Sequence, residues 1–230
     1  MHSFPDNSYA DAVSVSGAER QLFRKIAGLA EHLGAQACAY CIRMPLPLSR
    51  PRSAIHHTYP AAWRRMAPYQ ECIHGAAAGL SHAAADAIDG MLVLPPCHFH
   101  PEPGSALLRE HAWAWRDARG AIALLTAVAD PGRRDAARQD AQLTQLARNA
   151  HAALAECMIK KLMPEAAAPI TPRERQVLIW TAEGKSVPEI SCILGIAEST
   201  VSFHVRNVIA KLRASNRAHA AVKAALLGML

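Results

Sequence analysis

Residues 170–212 read ITPRERQVLIWTAEGKSVPEISCILGIAESTVSFHVRNVIAKL, and the punctuation of this stretch decides the fold of the C-terminal quarter. Thr171-Pro172-Arg173-Glu174 combines a hydroxyl N-cap, a proline at the first helical position and a glutamate three residues on, a capping box that starts a helix. Val177, Leu178 and Thr181 give that helix its buried side, and Glu183-Gly184 ends it. Ser186-Val187-Pro188-Glu189 repeats the box and opens a short helix through Ile190, Ile193 and Leu194, which Gly195 closes with a tight turn. A third helix is predicted from about Glu198 to Leu212, where Val201, Val205, Val208 and Leu212 recur at helical spacing and face inward. Its outward face then carries Ser199, Ser202, Phe203, Arg206 and Lys211.

Two helices joined by a glycine turn, the second presenting small polar, aromatic and basic groups, have the layout of a helix-turn-helix whose second helix fits a DNA major groove. Charge supports an anionic partner. From Ile170 onward eight Lys/Arg face four acids, so this quarter carries +4 of the net +6. A solvated helix face explains any one of the outward residues, but not an exposed Phe203.

Upstream, Leu22, Phe23, Ile26, Leu29, Ala30 and Leu33 share one face of a predicted helix that Gly34 stops. Ala35–Arg43 alternates as a strand and runs into an irregular loop at Pro45, Pro47 and Pro51. Further strands are expected at Met91–Leu94, Ala112–Arg116 and Ala121–Val128, the last two forming a hairpin across Asp117-Ala118-Arg119-Gly120. Asp135–Leu162 forms a long helix with a stripe through Leu143, Leu146, Ala150, Leu154, Met158 and Leu162, which buries against the sheet or a second subunit. The run 163–169, with two prolines and small residues, is expected to connect the domains.

Several features resemble a known family. Ile170-Thr171, Arg173-Glu174, Ala182, Gly184, Glu189-Ile190, Leu194-Gly195-Ile196, Thr200-Val201, His204, Lys211-Leu212 and Asn216-Arg217 resemble the DNA-binding domain of LuxR-type regulators. That resemblance implies base contacts from Ser202, Phe203 and Arg206 and phosphate contacts from Thr200, Lys211 and Lys185. Ala197 stands where such proteins have Ser or Thr, which weakens helix capping by roughly 1 kcal/mol.

In the N-terminal part, Phe23, Ile26, Leu33-Gly34, Cys38-Ala39-Tyr40, Arg43, Pro45-Leu46-Pro47, Tyr59-Pro60-Ala61-Ala62-Trp63, Arg119-Gly120 and Ala121–Thr126 are similar to the autoinducer-binding domain of quorum-sensing LuxR-type proteins. The resemblance implies an α/β/α sandwich around an acyl-homoserine lactone, acting as a dimer. Trp63 would donate to the lactone carbonyl, Tyr59 would reach the amide carbonyl and Thr126 would help hold the same region. Tyr69, Ile73 and Trp113 complete the expected ligand set; Trp113 and Trp115 share one sheet face and are pocket lining or core. Ala67 stands where the family has a tyrosine, and neither Ile73 nor Ala76 supplies the aspartate that accepts the ligand N–H. Glu71 is a nearby carboxylate. A buried ligand N–H without an acceptor costs roughly 1–3 kcal/mol, enough to change which ligand wins.

Other chemistries fit less well. Six cysteines lie mostly in apolar runs and read as reduced thiols. Cys97-His98-Phe99-His100 and Cys38/Cys41 contain zinc-type ligands, but their spacing lacks the two paired sets of a structural site. No nucleophile–base pair, glycine elbow or receiver-type acidic cluster is present, so neither an enzyme nor a phosphorylated regulator is expected. Met1–Ala10 is polar and no apolar run reaches the roughly 18–20 residues of a membrane span, which makes the cytoplasm the expected compartment. The expectation is an α+β chain: an α/β/α sandwich with an antiparallel sheet over 1–162, a connection at 163–169, and a four-helix all-α helix-turn-helix domain over 170–230. It is a homodimer that binds double-stranded DNA and a small-molecule signal, with no cofactor. The alternative is a regulator of the same architecture with a degenerate pocket, ligand-independent or responding to a non-lactone ligand.

Overall fold

The computed structural model describes residues 17–48, 51–60, 90–100, 104–117, 119–132 and 135–230. Two compact units emerge: one runs through Met158 apart from the turn between its last two strands, and the other contains Ile159–Leu230. This boundary falls four residues before the one expected at Leu162.

In the first unit, helix α1 (Ala18–His32) buries Phe23, Ile26 and Ala30 and is followed by Gly34 at φ 90°, a left-handed position that ends the helix without a Cβ clash. Five strands follow: β1 (Ala35–Arg43), β2 (Ser53–His57), β3 (Met91–Phe99), β4 (Leu108–Arg116) and β5 (Ile122–Ala129). They pair antiparallel in the order β2-β1-β5-β4-β3. Strand β2 is absent from the sequence reading because Ser53-Ala54-Ile55-His56-His57 alternates small and polar groups without a marked apolar set. The β4–β5 hairpin forms as expected, with Ala121 N donating to Asp117 Oδ1 at 2.8 Å across the turn.

Strand periodicity gives the two sheet faces different contents. The register places Tyr40, Leu125 and Trp113 across one face and Ala39, Thr126 and Ala112 across the other. Against the first face pack Phe23, Ile26 and Ala30 of α1 and Leu143 and Ala147 of helix α2 (Ala136–Leu162), around Cys38, Trp113, Leu125 and Ala127. Trp115 stacks on His151 of α2 with ring centroids 4.3 Å apart, and the Tyr40 hydroxyl lies 3.0 Å from His151 Nδ1. Large rings thus fill the helix-covered face. The opposite face carries the short side chains Ala37, Ala39, Cys41, Ala112 and Ala114 together with Leu108, Leu124, Val128 and Tyr59, and Ile55, Leu92, Leu94, Phe99 and Ile122 pack against them. α1 and α2 supply one helical layer; residues 61–89, between β2 and β3 in sequence, lie outside the described residues.

In the second unit, Pro164–Ala167 forms a single 3-10 turn with Glu165 and Ala166 buried. Lys223 Nζ reaches Glu165 Oε1 at 3.0 Å and the Leu212 carbonyl at 2.8 Å. Four helices follow: α3 (Pro172–Ala182), α4 (Val187–Leu194), α5 (Glu198–Lys211) and α6 (Arg217–Leu226). Both capping boxes form, with Thr171 N and Ser186 N each donating to the glutamate three residues on, at 2.8 Å. Gly195 takes φ 63° and turns the chain between α4 and α5. One small core gathers Val177, Ile190 and Val201, the other Leu178, Val208, Leu212, Ala220 and Ala224.

Candidate functional site

Burial of Val201, Val208 and Leu212 turns the opposite side of α5 to solvent. Ser199, Thr200, Phe203 and Arg206 are exposed there and Ser202 is half-buried. Phe203 leaves 52% of its surface in water, on the same open side of α5 as Ser199, Thr200 and Arg206. At the start of α5, Ala197 makes no side-chain cap, and the Thr200 N–H that a cap hydroxyl would take bonds the Ala197 carbonyl at 2.9 Å instead. Lys185 sits half-buried in the turn between α3 and α4, its carbonyl taking a hydrogen bond from Arg217 at 3.1 Å.

Lys211, expected from the resemblance to contact phosphate, has partners within its own domain. Its ammonium donates to Glu174 Oε2 at 2.7 Å and to the Pro169 carbonyl at 2.9 Å. Glu174 is the capping-box carboxylate of α3, so Lys211 ties the end of α5 to the start of α3. Burial raises the Glu174 carboxyl, but hydrogen bonds from Lys211 and Thr171 outweigh it and hold the group below its ordinary range.

On the short-side-chain face of the sheet, Tyr59 and Thr126 meet, with hydroxyls 2.9 Å apart. Tyr59 also donates to Glu110 Oε1 at 2.6 Å. All three side chains are buried. Glu110 is the residue that sequence reasoning missed. A strand expected to begin at Ala112 leaves it without a face, whereas the observed start at Leu108 gives it the parity of Ala112 and Ala114. Trp113, read from the sequence as pocket lining or core, belongs to the opposite, helix-covered face, where its indole N–H donates to Thr144 of α2 at 3.2 Å. Odd offset from Ala112 and Ala114 forces that direction. Trp63, Tyr69 and Ile73 lie outside the described residues.

Cys38 and Cys41 fall on opposite faces of β1, three residues apart on a strand, so they cannot converge on one metal. Burial pushes their thiols up to about 11 and about 12, leaving them protonated at neutral pH. Among the described residues no cluster of three His, Cys, Asp or Glu side chains is placed to hold a metal ion. Nor is any described helix long and apolar enough to cross a membrane.

A capped helix-turn-helix following an antiparallel sheet that carries helices defines a DNA-binding transcription regulator with a sensory domain. The chain belongs to the LuxR family of bacterial regulatory proteins. Residues 168–224 match the family model described as bacterial regulatory proteins, luxR family, and residues 18–70 match the autoinducer binding domain. The chain is 40% identical over 231 residues to the transcriptional activator protein SolR of Ralstonia nicotianae, covering 92% of this chain and 93% of that protein. It is 32% identical over 215 residues to the quorum-sensing regulator RhlR of Pseudomonas aeruginosa, covering 86% and 85%. In fold it is similar to SdiA solved in complex with octanoyl-rac-glycerol, with a TM-score of 0.63 and 24% identity over 92% of this chain and 89% of that one. The protein is therefore a quorum-sensing type transcription regulator with an autoinducer-binding domain, not an enzyme. The autoinducer-domain match stops at residue 70, inside the stretch Ala67–Ala76 that lacks the expected aspartate.

Proposed function

We propose that the sheet face bearing Tyr59 and Thr126 holds an acyl signal of the acyl-homoserine lactone type, and that its binding governs operator recognition by a homodimer in the cytoplasm. The observation that carries the reading is the convergence of Tyr59, Thr126 and Glu110 on an otherwise apolar sheet face, the one not covered by α1 and α2. Ligand sites are built this way, mostly apolar with a few placed polar groups. Trp63, Tyr69 and Ile73 join this set on the strength of the resemblance.

At the other end, α5 enters the major groove. Arg206 pairs with a guanine edge, Phe203 packs on a thymine methyl and Ser202 bonds a neighbouring base, while Thr200 and Lys185 hold phosphates. A two-fold dimer then reads two half-sites about one helical turn, roughly 34 Å, apart. A second reading, a non-lactone acyl ligand, is favoured by the absence of an aspartate in 67–76 and by the octanoyl-rac-glycerol bound to the similarly folded SdiA.

Thermal shift separates the two. A lactone at about 100 times its Kd stabilises the folded protein by about 2.7 kcal/mol. It should raise the melting temperature of wild type and not of Trp63→Ala. A panel of lactones that shifts neither protein, beside an octanoylglycerol that shifts wild type, replaces the first reading with the second.

A further inference from the structure

Successive residues of an α-helix are about 100° apart, so the buried stripe of α5 fixes where its other side chains leave the axis. Val201, Val208 and Leu212 are buried and fall within about 40° of one another. Phe203 stands roughly opposite them, and one turn later Arg206 and Asn207 follow on either side of it, about 60° and about 40° away. Asn207 is half-buried, and among the described residues none hydrogen-bonds its carboxamide. The other two described asparagines are engaged: Asn149 accepts from Gln145 at 3.3 Å, and Asn216 caps α6 by accepting from the His219 N–H at 2.8 Å. Phe203 and Ala210, one turn from Asn207 on either side, carry no polar group, and Lys211 gives its ammonium to Glu174 and the Pro169 carbonyl. Asparagine also belongs at caps and turns, where its side chain bonds nearby backbone, and not in a helix interior. Position 207, in the third turn of α5, is interior.

We infer that Asn207 is a specificity-determining residue of α5, which reads an adenine in the major groove beside the guanine read by Arg206. The inference rests on the reading that α5 is the recognition helix. A carboxamide presents a donor and an acceptor side by side. Adenine answers both from its major-groove edge, where N6 donates to the carboxamide oxygen and N7 accepts from the NH2. Guanine presents two acceptors there, which suit the donor fork of Arg206 and leave the Asn207 oxygen facing another acceptor. Arg206 and Asn207 are separated by about 1.5 Å along the helix axis and base pairs by about 3.4 Å along the duplex, so the two bases lie within about two base pairs of each other. Each half-site then carries this guanine and adenine as a unit.

Selection from a randomised DNA duplex library by the full chain, with and without N-octanoyl-homoserine lactone, tests this in wild type, Asn207→Ala, Asn207→Arg and Arg206→Ala. Wild type should enrich a guanine with an adenine within about two base pairs of it. Asn207→Ala should keep the guanine and lose the preference for adenine, and Arg206→Ala should do the reverse. On the enriched duplex, exchanging that adenine for guanine should weaken wild type at least roughly fivefold and Asn207→Ala less than about twofold. Asn207→Arg should turn the preferred base at that position from adenine to guanine. A helix that is merely weakened or unfolded cannot produce such an exchange, so this arm stands even if Asn207→Ala does not fold.

Arg206→Ala separates the proposal from the reading beneath it. If Arg206→Ala loses its guanine while Asn207→Ala and Asn207→Arg enrich the wild-type motif, the role of Asn207 is overturned and α5 remains the recognition helix. Equal weakening of Asn207→Ala on enriched and scrambled duplexes makes the residue a backbone contact and overturns the proposal. Loss of cooperative melting in both Asn207 variants makes it a packing element and overturns the proposal as well. If all four proteins enrich one motif, or wild type enriches none in either condition, the reading of α5 falls and the proposal with it.

Discussion

Replacing Lys211 by methionine keeps the apolar stem that lies along the C-terminal unit and deletes the ammonium held between Glu174, 2.7 Å away, and the Pro169 carbonyl, 2.9 Å away. A hydrogen bond to a charged group contributes about 1.5–3 kcal/mol. The Glu174 side chain is 3% exposed and that of Lys211 30%, so water recovers part of the loss on the lysine side only. Glu174 keeps its two bonds from Thr171. The expected destabilisation is about 1–2 kcal/mol at neutral pH. Its pH dependence follows from the lowered carboxyl. Stability from the ionised Glu174 is present above its ordinary value near 4.5 and is lost as pH falls through the lower folded value. Lys211→Met raises that folded value, so acid loss starts earlier, and the gap between the two proteins closes once Glu174 is protonated in both. Denaturant melts across pH, with hydrogen exchange of α3 and α5 amides, measure this. Operator binding across a salt series completes it, because a lost phosphate contact flattens the log–log slope by about one. Unchanged stability together with a slope flattened by one unit would refute the inward role of Lys211 and return it to the phosphate backbone.

Three further outcomes are expected. Ala197→Ser supplies the missing N-cap of α5 and should stabilise the C-terminal unit by about 0.5–1 kcal/mol in the same melts; no gain would mean that the first-turn amides are already satisfied. Arg206→Ala should cost about 1–3 kcal/mol on a matched operator and little on scrambled DNA; an equal loss on both would make it a phosphate contact. His151, whose imidazole burial lowers from 6.5 to about 4, is neutral beneath Trp115 and beside Tyr40. The unfolded chain takes up its proton first, so the N-terminal unit should lose stability as pH falls from about 6.5 toward about 4, and His151→Phe should remove that dependence. Parallel pH profiles for the two proteins would contradict it.

The helix-turn-helix was readable because its determinants are local. Thr171 and Glu174, like Ser186 and Glu189, are three residues apart, Gly195 needs only its own backbone, and Val201, Val208 and Leu212 recur on one helix face. Strand alternation likewise paired Trp113 with Trp115 and set both apart from the alanines between them. It did not say which side of the sheet the helices would cover, and so whether Trp113 would meet a ligand or Thr144.

Contacts between distant parts of the chain decided the remainder. Tyr59 meets Glu110 across 51 positions and Thr126 across 67, Lys211 reaches Glu174 across 37, and Lys223 reaches Glu165 across 58. An outward-facing lysine and one that swings back onto a buried carboxylate have the same helical position and the same neighbours in sequence. A strand glutamate acquires its partners only when the register of three strands is set. Local hydrogen bonding and periodicity write elements and caps into the sequence, whereas the direction of a long polar side chain depends on which partner the packed chain brings within 3 Å of it.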